Sequence, residues 1–295
     1  MHRRQFMISS LSLIALSPLL LAKTAPQSLS PKIKHHFGDS LVSSYKDSLG
    51  NLYRISSDDY KLSLLDHNSQ EHWSIEGLEL NKPRLNFPTK LVSDDYSRLY
   101  IVEKEPNTIK FIQPGQKKLH TLKLDSRDTI VVNDILANTD GTLYIADSFN
   151  HRILHVSHEG KILSHVGTLG SQLGSFNFPT HLQKDPWGNI HVLERGNNRI
   201  SIIDSKKKIA TSYGGFGNQR GHFTQLSDFK IDTKGNTYTL DRSSRDLQCF
   251  SPSGSVNAIT LLDKLTEGIP HSLSMSEEQV LSVHTLLSSK EINHG

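Results

Sequence analysis

Short stretches of alternating apolar and polar residues follow a polar turn at five places along the chain. Each turn holds Asp or Asn, usually with Gly, and the strand pattern after it contains an aromatic residue or histidine. These marker residues are Tyr53, Tyr100, Tyr144, His191 and Tyr238, at spacings of 47, 44, 47 and 47 residues. A fixed period in the forties that is built from short strands is typical of propeller blades, so the pattern predicts an all-β propeller.

Two of the repeats align without a gap through a glycine-rich segment. Gly167, Gly170, Gly174 and Phe176 recur 47 residues later as Gly214, Gly217, Gly221 and Phe223. Glycine permits positive φ and close packing of one sheet against the next, which is needed where the chain crosses between blades. These segments are therefore predicted to be the connections between neighbouring blades.

One segment of the third repeat is more specific than the period. Residues 144–153 run Tyr-Ile-Ala-Asp-Ser-Phe-Asn-His-Arg-Ile, which resembles the defining sequence of an NHL repeat, and residues 194–200 are similar. The resemblance extends over roughly residues 38–290 and implies a six-bladed NHL-type propeller. The first repeat lacks the Asn and Arg, and the last keeps one recognisable strand. We expect residues 33–41 to supply a strand that closes the ring in the final blade.

The N-terminal residues form a separate segment. Arg3-Arg4-Gln5-Phe6-Met7 resembles a bacterial twin-arginine export signal, and the apolar stretch that follows is shorter than a membrane span. We predict an export signal at 1–25, a linker at 26–36 and a propeller at 37–295. The protein is expected in the periplasm, and retention of an uncleaved signal as a membrane anchor is the alternative.

Composition restricts the remaining function classes. The net charge of +3 is small for a nucleic-acid-binding protein, and the basic residues are dispersed, so no nucleic-acid partner is predicted. Cys249 is the single cysteine, which excludes an internal disulfide, and its apolar strand context indicates a packing residue.

The acidic, amide and basic residues of the NHL-like motif recur from blade to blade. A group that every blade carries indicates scaffolding, because a catalytic group is needed once. An acid in a turn can accept backbone N–H bonds, and a nearby Arg can pair with it. The predicted structural motif residues are Asp147, Asn150, Arg152, Glu194, Asn197, Arg199 and Asp241.

One residue per blade varies while its neighbours hardly change. It lies four residues before each polar turn, on the strand that lines the central channel of a propeller. This channel ring is predicted to contain Ser43, Lys90, Asp134, His181, Asp228 and, in the last blade, His271 or Ser272.

Three interpretations of the channel ring stay open. It forms a salt-bridged, water-filled funnel in which Lys90 pairs with Asp134 or Asp228. Alternatively, His181, Asp134 and Asp228, with His271 as a further candidate, hold a single divalent metal, for which mixed imidazole and carboxylate ligands are suited. In the third interpretation an anionic ligand binds to Lys90, His181 and Arg195. No cofactor is predicted outright.

Some NHL propellers are lyases that act on hydroxyglycine peptides, and related propellers hydrolyse lactones and esters. Those lyases use zinc and several channel histidines. In this ring only one histidine, His181, is assigned without an alternative, so no catalytic residue is transferred from that family. The sequence therefore favours an exported module that binds a periplasmic protein or small ligand. A metal-dependent lyase or hydrolase with its site in the channel is the alternative. Candidate anchors for a partner are Phe149, Trp187, Phe216 and Arg195.

Overall fold

The computed structural model describes residues 41–47, 50–56, 60–66, 68–75, 85–204, 206, 208–262, 269–275 and 281–286. Five consecutive antiparallel sheets have four strands each, paired in chain order, and a sixth sheet has two strands. Among the described residues, no helix is long and apolar enough to span a membrane. The predicted export signal, the linker and residues 33–40 lie outside the described residues.

Each four-stranded sheet is one blade, and its first strand pairs only with its second. Blade 1 comprises β1 (Leu41–Lys46), β2 (Leu52–Ser56), β3 (Leu62–Leu65) and β4 (Glu71–Ile75). Blade 2 comprises β5 (Lys90–Ser93), β6 (Leu99–Val102), β7 (Thr108–Ile112) and β8 (Leu119–Lys123). Blade 3 comprises β9 (Val132–Ala137), β10 (Leu143–Asp147), β11 (Arg152–Val156) and β12 (Ile162–Val166). Blade 4 comprises β13 (Pro179–Lys184), β14 (Ile190–Glu194), β15 (Arg199–Ile203) and β16 (Ile209–Gly214). Blade 5 comprises β17 (Leu226–Ile231), β18 (Thr237–Asp241), β19 (Asp246–Phe250) and β20 (Val256–Leu261), and the two-stranded sheet comprises β21 (Ile269–Met275) and β22 (Leu281–Leu286).

The first strands contact one another in series, from β1 to β5, β9, β13, β17 and β21. The buried core is divided into clusters that lie between neighbouring sheets. One cluster joins blades 2 and 3, and it includes Val102, Ile109, Ile135 and Leu154. Burial of both faces of each sheet explains why the strands have apolar residues at successive positions, as in β14. Stacking of sheets around a common inner edge is the arrangement of a propeller.

The prediction of six four-stranded blades is corrected by the structure. The described residues form five four-stranded blades and a two-stranded sheet, because the segment after β20 contributes two paired strands, β21 and β22. The predicted closure by residues 33–41 is not described either. Residue 41 begins β1, whose partner is β2 of the first blade, and residues 33–40 lie outside the described ranges.

The polar turns that mark the repeat have a common structure. In the turns between first and second strands of blades 2, 4 and 5, an Asp carboxylate accepts backbone N–H bonds from residues two and four positions later. Asp94 Oδ1 accepts from Tyr96 N at 3.0 Å and from Arg98 N at 2.8 Å. Its Oδ2 atom accepts from the Tyr100 hydroxyl at 3.2 Å. The Asp and the aromatic residue recur together because the carboxylate fixes the turn and satisfies the buried hydroxyl.

The loops between second and third strands also share one conformation. Tyr60, Asn107, His151, Asn198 and Arg245 occupy equivalent positions and have φ values between 47° and 59°. In this left-handed conformation the side chain reaches the next blade: Asn107 Oδ1 accepts from Ile130 N at 2.8 Å, and His151 Nδ1 accepts from Phe178 N at 3.1 Å. These loops therefore fasten neighbouring blades together.

Candidate functional site

The channel ring residues lie at equivalent positions of the first strands. In blades 1, 3, 4 and 5 the pairing register shifts by one residue directly before the ring position, at Ser43, Asp134, His181 and Asp228. Lys90 begins β5 and pairs with Val102. The five side chains thus come from five successive strands that contact one another, as the spacing in the sequence predicts.

The register of the two-stranded sheet decides between the candidates of the last repeat. Pro270 pairs with Thr285 and Ser272 pairs with His284, so His271 is the extra residue at the shift. His181 lies in the same relation to Pro179 in blade 4 as Ser272 does to Pro270. Ser272 is therefore the ring residue of this sheet, and the placement of His271 in the ring is corrected. The sequence had left both His271 and Ser272 as candidates.

Three ring residues accept hydrogen bonds from the backbone of the next sheet. Ser43 Oγ accepts from Leu91 N at 3.0 Å. Asp134 Oδ2 accepts from Leu182 N at 2.8 Å, and Asp228 Oδ2 accepts from Leu273 N at 2.7 Å. Each donor follows the ring residue of its own strand. A first strand has one unpaired edge along the channel, and these side chains satisfy amides of that edge. The ring thereby connects consecutive sheets.

Two lysines balance the two buried carboxylates. Lys90 Nζ donates to Asp134 Oδ2 at 2.6 Å, and the Asp134 side chain is 0% exposed while that of Lys90 is 29% exposed. Lys230 Nζ lies 3.5 Å from Asp228 Oδ1. The Lys90–Asp134 pair agrees with the funnel interpretation. Lys230 was absent from the predicted ring because it lies two residues beyond the ring position on β17.

His181 lies between these charges. Burial lowers the pKa of the imidazole, and Lys90 and Lys230 act in the same direction, while Asp228 and Asp134 oppose the shift. Its Nδ1 atom lies 3.0 Å from Thr180 Oγ1. The pKa of Asp228 is lowered although burial opposes the shift, because Lys230, the Leu273 amide and Lys90 favour the carboxylate. His181 is therefore neutral at pH 7 beside an ionised Asp228.

The suggested metal ligands do not fit a cation as they stand. Asp134 directs Oδ1 to Ile135 N and Oδ2 to Leu182 N and Lys90, so both oxygens are engaged. Asp228 directs its oxygens to Phe229 N and Leu273 N. Within the described part of the chain, no group of three His, Cys, Asp or Glu side chains is arranged to hold a metal ion.

The motif acids bind the loop that follows them and the residues before the first strand of the same blade. Asp147 Oδ2 accepts from Asn150 Nδ2 at 2.8 Å and from Arg152 Nε at 2.9 Å. Its Oδ1 atom accepts from Val131 N at 3.4 Å. Asp147 is fully buried, so these donors compensate a charge that has no contact with water.

Blade 4 repeats the arrangement with a glutamate. Glu194 accepts from Asn177 N at 2.9 Å, from Asn197 Nδ2 and from Arg199 Nε at 2.6 Å. Arg199 also donates to the carbonyl oxygens of Ser171, Gln172 and Ser175 in the blade crossing. The motif thereby fixes the crossing between blades 3 and 4.

Blade 5 replaces the motif arginine with Asp246. Asp241 instead accepts from the amides of Thr224, Gln225, Ser243 and Ser244. Four N–H donors hold the pKa of Asp241 below its ordinary value although burial opposes the shift. Burial and the neighbouring Asp241 raise the pKa of Asp246.

The two ends of the propeller differ in their exposed side chains. We call the end at which the first strands begin the loop face, since the loops between second and third strands and the blade crossings also lie there. Exposed apolar side chains of this face, which we call the apolar rim, are Phe87, Phe149, Leu169, Leu173, Phe178 and Phe216. Phe149, Phe216 and the exposed Arg195 were predicted anchors.

The fourth predicted anchor lies at the opposite end. Trp187 belongs to a turn between first and second strands, and it is 60% exposed. Its ring packs on Gly235 of the next blade, where an added Cβ atom would lie 2.3 Å from Trp187 Cζ3. Part of the indole therefore serves blade packing.

Comparison with known proteins supports the fold. No family model matches the chain, and no curated protein sequence matches it. A streptogramin B lyase structure superposes with a TM-score of 0.64 at 13% identity, over 87% of each chain. Virginiamycin B lyase from Staphylococcus aureus gives 0.63 at 13% identity, over 85% of this chain and 86% of that one. The chain is a β-propeller. The predicted all-β propeller is thus confirmed, whereas the resemblance to NHL repeats stays a prediction.

Proposed function

We propose that the chain is an exported propeller that binds a periplasmic protein through its loop face. The observation that carries this proposal is the apolar rim. Phe149 is 64% exposed, Phe178 is 49% exposed and Phe216 is 76% exposed, and all lie on loops at the same end of the sheets. Large apolar side chains grouped on a rigid surface are typical of protein-binding sites.

The contacts inside the channel also favour the loop face over the channel as the binding site. The channel carboxylates are engaged by backbone amides and lysines, and the ring connects consecutive sheets. The rim residue Phe149 lies where the equivalent loops of blades 4 and 5 have Gly196 and Ser243, and variable loops on a repeated frame are where binding residues occur. Export rests on the twin-arginine-like segment at residues 3–7.

Affinity capture from the periplasm tests the proposal. A Phe149→Asp/Phe216→Asp double variant places two charges in the apolar rim, and we expect it to lose a partner that the unaltered protein retains. Leu163→Asp is the matched control, because Leu163 is 48% exposed on the outermost strand of blade 3. Equal capture of the partner by the double variant and by the control would exclude the loop face as the binding site.

A lyase is the second candidate, and the neighbouring structures favour it. Two of them are a streptogramin B lyase and virginiamycin B lyase, and a third is a catalytically inactive His-to-Ala variant of the latter with quinupristin. In this chain His181 is a neutral, half-buried imidazole in the channel, a suitable general base.

Incubation with quinupristin tests the lyase. Cleavage by the unaltered protein that disappears in His181→Gln would establish this activity. Intact quinupristin after prolonged incubation, with and without added divalent metal, would remove the lyase for that substrate. Metal analysis of the purified protein addresses the metal-dependent alternative separately.

A further inference from the structure

Three exposed basic residues recur at one position of the repeat. Lys104, Arg195 and Arg242 each directly follow the motif acid at the end of a second strand. Their backbone N–H groups donate to the carbonyl oxygens of Asn86, Phe178 and Gln225, each at 3.0 Å. Phe178 and Gln225 directly precede first strands, and Asn86 lies four residues before β5, so the basic residues lie near the start of the first strands on the loop face. We call them the rim cations.

The scaffold does not use these charges. Arg152 and Arg199 pair with the motif acids, and Lys110 lies 3.0 Å from Glu103. By contrast, no carboxylate lies within ion-pair distance of a rim cation in the described part of the chain. Three like charges on one face of a domain add to the positive potential of that face.

Two rim cations each accompany an exposed phenylalanine, although through different contacts. The Lys104 ammonium lies 5.7 Å from the centre of the Phe87 ring, and Tyr60 packs against that ring edge-on at 4.9 Å. In blade 4, Arg195 bonds to the backbone of Phe178, whose ring packs edge-on against His151 at 4.7 Å. Tyr60 and His151 are the equivalent left-handed loop residues of the preceding blades.

Each of these two units, Phe87 with Lys104 and Phe178 with Arg195, therefore combines an apolar ring that is already held in place with a cation that has no carboxylate partner in the described part of the chain. Fixing the ring before binding lowers the entropy lost on association. Phe149 adds a further exposed ring near the second unit, since the hydroxyl of the neighbouring Ser148 donates to the carbonyl oxygen of Pro179. A complementary partner presents carboxylates beside aromatic or aliphatic side chains.

We infer that the loop face binds a protein segment in which acidic residues alternate with large apolar residues. The carboxylates contact Lys104, Arg195 and Arg242, and the apolar side chains contact the rim. This inference rests on the proposed binding function and specifies the chemistry of its partner. A nucleic acid fits less well, because nucleic-acid sites join many phosphate contacts, whereas these three cations are separated on different blades of a chain with net charge +3.

Binding of defined peptide pools tests the inference. Fluorescent peptides in which Phe and Leu alternate with Glu, with Lys or with Ser are titrated with the folded protein, and a mixed-sequence single-stranded oligonucleotide is a fourth probe. The Glu pool should bind most tightly, and its affinity should fall as salt is raised. Lys104→Gln/Arg195→Gln/Arg242→Gln should lose about tenfold in affinity for it, since exposed charge pairs contribute modestly and add up.

Two control variants test whether the loss of affinity for the Glu pool comes from the rim cations or from a general change in net charge. Lys117→Gln/Lys118→Gln/Lys208→Gln makes the same charge change at exposed residues on or beside turns of the outer strands, and it should bind the Glu pool like the unaltered protein. Lys104→Arg/Arg195→Lys/Arg242→Lys should retain most of the affinity. Equal binding of the Glu pool by the Gln triple variant would overturn the inference, as would preference for the Lys pool, the Ser pool or the oligonucleotide, or no binding of the Glu pool.

Failure of the inference is distinguishable from failure of the proposed function. A partner that is captured by the Gln triple variant but lost by Phe149→Asp/Phe216→Asp keeps the binding function and removes the role of the cations. A partner retained by both variants removes the loop face as the binding site. Loss with both variants, and not with Leu163→Asp, is the result that both proposals require.

Discussion

Removal of the Asp134 carboxylate tests the role of the channel ring. In Asp134→Ala the amides of Leu182 and Ile135 lose their acceptor, and Lys90 loses its partner. The Asp134 site is fully buried, and water does not readily replace the carboxylate there. The variant should therefore be less stable while the loop face stays unchanged.

The magnitude follows from the individual contacts. Hydrogen bonds to a charged group contribute about 1.5–3 kcal/mol, and the bond from Leu182 joins two different strands. The ammonium of Lys90 is partly exposed and regains hydration, so the ion pair adds at most about 1 kcal/mol. We expect a loss of about 3 kcal/mol in the free energy of unfolding. With a urea slope of about 3 kcal/mol per molar, the unfolding midpoint falls by about 1 M.

Urea unfolding followed by tryptophan fluorescence measures this loss. Ser43→Ala is the matched control, because the Ser43 hydroxyl makes the same kind of bond to Leu91 without a charge, and it should cost about 1 kcal/mol. Partner capture by folded Asp134→Ala should match that of the unaltered protein. A loss below about 0.5 kcal/mol, or loss of capture without loss of stability, would refute the structural role of the ring.

Three further predictions concern packing and titration. Gly235→Ala should destabilise the protein by about 2 kcal/mol, because φ is +80° and the new Cβ meets Trp187 at 2.3 Å. In the double variant, Trp187→Ala should restore part of that loss. If the stability losses of the two single variants simply add in the double variant, the contact is contradicted. Burial lowers the pKa of His181 and of His191, so the unfolded chain binds more protons and stability is lost as pH falls below about 6.5. His191→Tyr should lessen that loss in urea unfolding between about pH 7.5 and about pH 5.5, and an unchanged pH dependence would contradict the assignment. Burial raises the pKa of Cys249 to about 11, so a thiol reagent should label it only in denaturant, and rapid labelling of the native protein would contradict its packing role.

The fold could be predicted from the sequence because similar local bonds recur in several blades. Asp94 and Asp232 each bind two turn amides and a tyrosine hydroxyl six residues later, and this fixes both the residue types and their spacing. The number of complete blades was harder to predict from the sequence. The last segment keeps Leu273 and Leu281 in the core but forms a two-stranded sheet, and a weak pattern does not distinguish a degraded blade from an incomplete one.

The candidate site was predicted only in part. Position along the first strand identified Asp134, His181 and Asp228, since the period alone sets that position. The choice between His271 and Ser272 needed the structure, because a one-residue bulge depends on the pairing of β21 with β22. Arg195 was a predicted anchor, but the rim cations Lys104 and Arg242 were missed for a different reason. They follow the motif acid in the sequence, but their exposure and their missing carboxylate partners are properties of the folded surface.

Hydrogen–deuterium exchange of the captured complex tests most directly whether the loop face is the binding surface. The account predicts that the partner slows exchange in residues 148–151, 167–178 and 214–225, which form a loop and two blade crossings of that face. Exchange in the turns at 94–98 and 185–189, at the opposite end of the sheets, should stay unchanged. Slower exchange confined to those turns, or no change in the loop-face segments, would contradict the proposed function.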